Sequence, residues 1–154
     1  MKRTSSVLLL ACITAFLAGT GPALATLGQK YDSVARDRRA LAATQKSVSK
    51  TAAYTIQELS LESTTVREYI NASGIVFAIA WNGMIHPDFD TILGAYANEY
   101  WTAKRAAERR HGRKSLRIVT QRMVVETWGH MRDLQGRAYL PAMLPEGVNI
   151  DEIR

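Results

Sequence analysis

Seven consecutive apolar residues, Ile75-Val76-Phe77-Ala78-Ile79-Ala80-Trp81, stand between Gly74 and Asn82-Gly83. A β-branched and aromatic run of this length, bounded by turn formers, predicts a strand buried on both faces. Strict alternation would send Ile75, Phe77, Ile79 and Trp81 one way and the small Val76, Ala78 and Ala80 the other. The small face is the one expected to admit a closely packed helix.

The stretches around this run fall into place by period. Ala53 to Leu61 and Thr65 to Ile70 read as strands joined by a polar turn at Glu62 to Thr64. Together with the central run they form an antiparallel meander. Tyr54 and Ile56 alternate correctly, whereas Leu59 and Leu61 have changed phase, so a β-bulge is expected near Gln57-Glu58. After Pro87 the period lengthens: Phe89, Ile92, Leu93, Tyr96 and Tyr100 share one helical face. Asp88 and Asp90 lie in the first turn, basic residues at the far end, and Gly112 supplies a stop. Ser115 to Trp128 predicts one long, irregular strand, Gly129-His130 a turn, and Met131 to Leu140 a returning strand. Val148 and Ile150 are placed to tack the tail onto the core. Upstream, Asp32 or Ser33 caps a thinner N-terminal helix running to about Thr44, and Thr44 to Thr51 reads as a linker. The pattern specifies an α+β domain: an antiparallel sheet of about five strands with one long amphipathic helix packed on it and a thinner N-terminal helix.

The first 25 residues stand outside that domain. Lys2-Arg3, the apolar stretch Val7 to Ala18 and Ala23-Leu24-Ala25 have the layout of a cleaved signal peptide. The apolar stretch is too short for a bilayer core of about 30 Å. The expectation is export to the periplasm or beyond, cleavage after Ala25, no remaining membrane span, and a single domain over 26–154. The lone cysteine, Cys12, lies within the segment, where Leu9-Leu10-Ala11-Cys12 loosely resembles a lipoprotein box. The mature chain is therefore disulfide-free, and cysteine nucleophiles and thiolate metal sites are excluded.

The full chain carries a formal charge of +6. Its positive excess is local, because Lys104 to Arg117 holds seven basic residues and one Glu. Lys104, Arg105, Arg109, Arg110, Arg113, Lys114 and Arg117 are thus candidate anion-binding residues. In an exported protein the polyanions within reach are anionic lipid or lipopolysaccharide surfaces and acidic polysaccharides rather than nucleic acid. A solvated helix end is the plainer reading.

Several stretches resemble the domain-of-unknown-function 2844 family, small exported proteins of proteobacteria. The matching residues begin with Leu27-Gly28, Ser33-Val34, Asp37-Arg38, Ala40-Leu41 and Val66-Arg67-Glu68-Tyr69. They continue through Gly74-x-Val76-Phe77-Ala78, Trp81-x-Gly83, Pro87-Asp88 and Leu93-Gly94-x-Tyr96. The last are Gly129-His130-Met131-Arg132, Gly136-Arg137-Ala138-Tyr139-Leu140-Pro141 and Leu144-Pro145-x-Gly147-Val148. Thr44 to Thr51 and Lys104 to Lys114 lie outside these motifs. The resemblance implies export and a single domain, with no activity, cofactor or catalytic residues to carry over.

Candidate chemistry is sparse. Of three histidines, His86 reads as a cap or loop residue and His111 as part of the basic run. His130 has Glu126 four residues before it and Asp133 three after, so the carboxylates would flank the imidazole of a general base or half a metal site. An ordered turn histidine is the favoured reading. No nucleophile elbow surrounds any serine, and neither metal-ligand spacing nor a phosphate loop is present, so no metal or cofactor is expected. Arg67, Glu68, Arg132 and Arg137 place charges within strands. They read either as cross-strand pairs on the solvent face or as ligand-binding groups beside Trp81 and Trp128. The leading expectation is a non-enzymatic binding or envelope-accessory protein whose partner is a protein or envelope component. The alternatives are a hydrolase or lyase using His130 with a carboxylate, and a polyanion binder acting through the basic run.

Overall fold

The computed structural model describes residues 26–31, 44–107 and 115–154. The described residues build a seven-stranded sheet in the order β1-β2-β3-β4-β7-β6-β5, and every neighbouring pair is antiparallel. Strands β1 (Thr44–Lys50), β2 (Tyr54–Ser60), β3 (Thr64–Asn71) and β4 (Val76–Gly83) form one meander. Strands β5 (Ser115–Val119), β6 (Val124–His130) and β7 (Asp133–Tyr139) form a second, and the β4–β7 pair joins the two.

This architecture corrects the expected one. There are seven strands rather than five, for two physical reasons. Strand β1 is an edge strand of polar composition, which needs only one hydrogen-bonding neighbour and tolerates Lys and Ser because it covers no core; in sequence it reads as a linker. The long strand expected over 115–128 is two strands. Thr120 Oγ1 accepts the Met123 amide N–H at 3.1 Å, and the Thr120 N–H donates to the Met123 carbonyl at 2.9 Å, closing a turn between β5 and β6. The thinner N-terminal helix is not an element of the described fold: Leu27 to Lys30 run beside the start of β4, with a bridge from Lys30 to Ile75, Tyr31 alone is helical, and 32–43 lie outside the described residues.

The long helix is also interrupted. Helix α1 (Phe89–Leu93) leads through a 3-10 turn (Gly94–Tyr96) into α2 (Ala97–Ala106). Asp88 caps α1 by accepting the Asp90 N–H. The break falls at Gly94, whose φ of 49° suits glycine, and any Cβ there would run into the Thr26 side chain. The N-terminal segment therefore crosses the helical segment at the one position that can yield.

Val76 to Trp81 are all buried, as the centre of a seven-stranded sheet requires. A register shift between Tyr69 and Ile70 makes Phe77 the extra residue of a bulge in β4. Val76, Ile79 and Trp81 accordingly pack with Ile92, Leu93, Ala97 and Tyr100 of the helical segment, on what we term the helix face. Phe77, Ala78 and Ala80 pack on the opposite face. The helical segment thus covers the large residues, and the small-residue face meets the chain's last segment, contrary to the alternation argument. There, Ile153 is fully buried among Tyr69, Phe77, Ala78, Ala80 and Tyr139, so we term this the tail face.

The phase change in β2 has the same origin. Its pairing with β3 runs without a shift from Tyr54–Asn71 to Ser60–Thr65, so the expected bulge at Gln57-Glu58 is not in that ladder. Tyr54 and Ile56 face the tail, whereas Leu59 lies opposite Val66 on the helix face. The strand is covered on different faces at its two ends. On the helix face Gln57 and Glu68 stand opposite each other, both completely buried. Neither amide atom of Gln57 has a hydrogen-bond partner among the described residues.

Candidate functional site

Antiparallel register sets directly opposed residues on one face. One row of the sheet runs Glu58, Arg67, Ala80, Arg137, Glu126, Arg117 across β2, β3, β4, β7, β6 and β5. It is a ladder of alternating charge, interrupted only at Ala80, on the tail face. Arg67 Nε donates to Glu58 at 2.8 Å. Arg137 Nε donates to Glu126 Oε2 at 2.6 Å, and Arg117 Nε to Glu126 Oε1 at 2.8 Å, so both carboxylate oxygens of Glu126 are engaged. The Tyr139 hydroxyl and the Glu126 carboxylate raise the already high pKa of Arg117.

The two arginines flanking Ala80 also hold the tail. Arg67 Nη1 donates to the Arg154 carbonyl at 2.9 Å, and Arg137 Nη1 donates to the Ile150 carbonyl at 2.6 Å. Tyr69, whose pKa burial pushes up, donates its hydroxyl to the Arg154 carbonyl at 3.0 Å and accepts the Arg154 N–H at 3.1 Å. The tail's carbonyls thus find partners through side chains, as a segment outside the sheet ladder must.

The tail covers the middle of this face, including Val124 at the start of β6, and leaves β5 and the later part of β6 open. A trough of about 700 Å³ remains, walled by Asp151 and Arg154 and floored by Arg117, Glu126, Trp128 and Arg137. Trp128 sits two residue pairs along from the charged row and on the same face, between Ser115 on β5 and Gln135 on β7. Its indole N–H donates to Gln135 Oε1 at 3.1 Å, and the Arg137 guanidinium lies 5.6 Å from its ring centre. Gln135 in turn donates to Asp133 at 3.0 Å. The indole is fixed in plane by one hydrogen bond and flanked by a small serine, which leaves a half-buried platform in a trough that Arg117, Arg137 and Arg154 line.

The residues expected from the sequence are distributed as follows. His130 closes the β6–β7 hairpin opposite Asp133, its Nε2 3.9 Å from the carboxylate, with 77% of its side chain exposed. Glu126 lies further along the same face, with both oxygens committed to arginines. Arg132 occupies the hairpin loop at φ 69° and is exposed. Arg67 pairs with Glu58 rather than Glu68, which lies on the helix face. Trp81 is likewise on the helix face, so only Trp128 stands beside Arg137.

The basic run is divided by the sheet. Lys104 Nζ sits 4.8 Å from the Trp101 ring centre and 5.4 Å from that of Tyr100, on the helix face, whereas Arg117 is on the tail face. Arg105 is exposed and donates to Thr102. Arg109, Arg110, His111, Arg113 and Lys114 lie outside the described residues. His86 does more than occupy a loop: its Nδ1 accepts the Trp81 indole N–H at 3.0 Å. Burial, and secondarily Lys104, lowers its pKa.

Gln135, Asp151 and Arg154 were not expected at a site. The register of the β6–β7 hairpin is the signal that brings Gln135 opposite Trp128; nothing in the local pattern points to the tail residues. Among the described residues no three His, Asp or Glu side chains group as a metal site would need, and no helix is long and apolar enough to cross a membrane. No curated protein and no solved structure matches the chain. A family model does match, over residues 23–153, and on that match the chain belongs to the family described as Protein of unknown function (DUF2844).

Proposed function

We propose that this chain is an exported, non-enzymatic binding protein whose ligand seat is the trough over Trp128. The observation that carries the reading is the trough itself: an oriented indole beside Arg137 and Arg117, left open where the tail ends. Loosely solvated charges would not hold such a geometry, whereas an aromatic platform with fixed polar neighbours suits recognition. The acid–base alternative has less support. Glu126 is locked between two guanidinium groups, and His130 with Asp133 stands exposed at a hairpin tip where nothing excludes water. Export rests on the segment preceding Thr26, and Leu27, two residues past the proposed cleavage bond, is already part of the core.

The test is a comparison of Trp128→Ala and His130→Ala in a strain lacking the gene. Both residues lie outside the main core, so both variants are expected to fold, with unchanged far-ultraviolet circular dichroism. The expected outcome is that Trp128→Ala fails to restore the wild-type phenotype and His130→Ala restores it. The reverse pattern would replace the binding reading with a histidine-dependent enzyme. Sequencing of the exported protein should begin at Thr26; an intact N-terminus or a lipid on Cys12 would overturn soluble export.

A further inference from the structure

The binding reading leaves the ligand open, and the trough's own chemistry narrows it. We infer that the seat over Trp128 takes an acidic saccharide, a pyranose bearing a carboxylate, stacked on the indole with its acid group toward Arg117 and Arg154. The inference rests on the proposed binding role and specifies its ligand.

Three observations converge. First, the platform is a single indole whose N–H is already tied to Gln135 and over one side of which the Arg137 guanidinium lies, so a ligand meets the ring through the remaining face. That face carries negative quadrupole potential and attracts the polarised C–H groups of a sugar ring. Second, the charges around it are mixed. Arg117, Arg137 and Arg154 stand against Glu126 and Asp151, a net of one positive charge in the trough. Arg137 is consumed by Glu126 and the Ile150 carbonyl, whereas Arg117 meets Glu126 through its Nε and also meets the Tyr139 hydroxyl, with further N–H donors left over. The Arg117 side chain is 62% exposed, and the Arg154 side chain has no hydrogen bond or ion pair among the described residues. Two guanidinium groups therefore have donors free for one carboxylate, the planar match that arginine makes best. Third, the other polar groups suit hydroxyls: Ser115 and Gln135 on the floor, and Asp151 on the wall with 85% of its side chain exposed.

The same mixture argues against single-stranded nucleic acid, which also uses aromatic stacking and arginine. A phosphodiester backbone offers the exposed Asp151 carboxylate no donor, whereas the hydroxyls of a saccharide donate to it.

The experiment is calorimetric titration of the folded protein with a short oligouronate, the neutral oligosaccharide of the same linkage, and a short single-stranded oligonucleotide. The oligouronate is expected to bind at least about tenfold more tightly than either comparator, a difference of roughly 1.4 kcal/mol. Its affinity is expected to fall with added salt. Trp128→Ala should abolish binding of both sugars, and Arg117→Gln should erase the preference for the acidic one while keeping the weaker neutral affinity. Equal binding of both sugars by the wild type overturns the carboxylate assignment, and preference for the oligonucleotide overturns the saccharide. If no oligouronate binds while Trp128→Ala still fails in the strain lacking the gene, the ligand class is wrong and the binding role stands. If Trp128→Ala is silent in both experiments, the two fall together.

Discussion

On the helix face Trp81 lies over Gly136, where any Cβ would run into the indole, and meets the Phe89 ring edge-on at a centroid distance of 5.4 Å. One residue away, on the tail face, Ala80 sits between two arginines that hold the carbonyls of Ile150 and Arg154. The first face is closed by interdigitated rings and aliphatic side chains, with stabilisation proportional to the apolar area removed from water. The second is closed by a smaller apolar set, Ile153 with Leu144, Val148 and Ile150 over Tyr69, Phe77 and Tyr139, and by directed polar bonds. Apolar packing spreads over whatever surface is available; polar clasps act only where their partners are. This is why the tail face keeps an opening over β5 and the later part of β6, and why, among the described residues, the candidate seat lies there.

The largest effect that would break this contrast comes from the helix face. Trp81 is 2% exposed, and Trp81→Ala is expected to cost about 3–5 kcal/mol, as for other buried aromatics. The measurement is the urea midpoint, and an unchanged value would mean that the indole is not the keystone described. The tail face should yield less. Arg137→Met removes the Glu126 pair and the Ile150 clasp, and about 2 kcal/mol is expected for charged hydrogen bonds at a mostly buried position. Hydrogen exchange should also rise selectively in residues 150–154. If exchange there is unchanged, Ile153 and the bonds from Arg67 and Tyr69 hold the tail without Arg137. Arg117→Gln serves as the contrast within the same ladder. Its side chain is exposed and touches no tail carbonyl, so the midpoint should not move.

The same contrast explains how much of the molecule was legible in its sequence. Strand β4 and the helical face from Phe89 to Tyr100 announce themselves because burial demands apolar residues at a fixed period. Strand β1 does not, because an edge strand is specified by its partner's backbone. The tail face is hidden for a related reason. Its clasps are long-range pairs between residues on either side of the β4–β7 junction, and Ile153 stands alone with no periodicity around it. The candidate site shows what register decides. A turn at Gly129-His130 would set Glu126 opposite Asp133 and so assemble an acid–base group with His130. The observed hairpin turns at Met131-Arg132 and sets Glu126 opposite Arg137 instead. Trp128, Arg137, Glu126 and Arg117 were all visible as individual residues. Their convergence was not, because it depends on that turn and on which face each strand presents.

The smallest expected effect tests whether the helix face is wholly apolar in its energetics. His86 accepts the Trp81 indole N–H through Nδ1, which requires that nitrogen to be unprotonated. Burial, then the nearby Lys104 ammonium, holds its pKa below the ordinary 6.5. The other groups around the imidazole are the Trp81 and Phe89 rings, neither of which titrates. Because the folded state binds the proton less readily than the unfolded chain, both states are neutral above about 6.5, where the stabilisation is fully present. As the pH falls from there through the lowered folded value, the unfolded chain takes up the proton first and stability is lost. The urea midpoint should therefore decline between pH 6.5 and about 5, before most carboxylates titrate. In His86→Gln, whose amide oxygen can accept the same indole N–H, that decline should be absent. If instead the wild-type midpoint is flat across this window, the Trp81–His86 bond contributes nothing to closing the helix face. Apolar packing would then account for the closure around Trp81 without that bond.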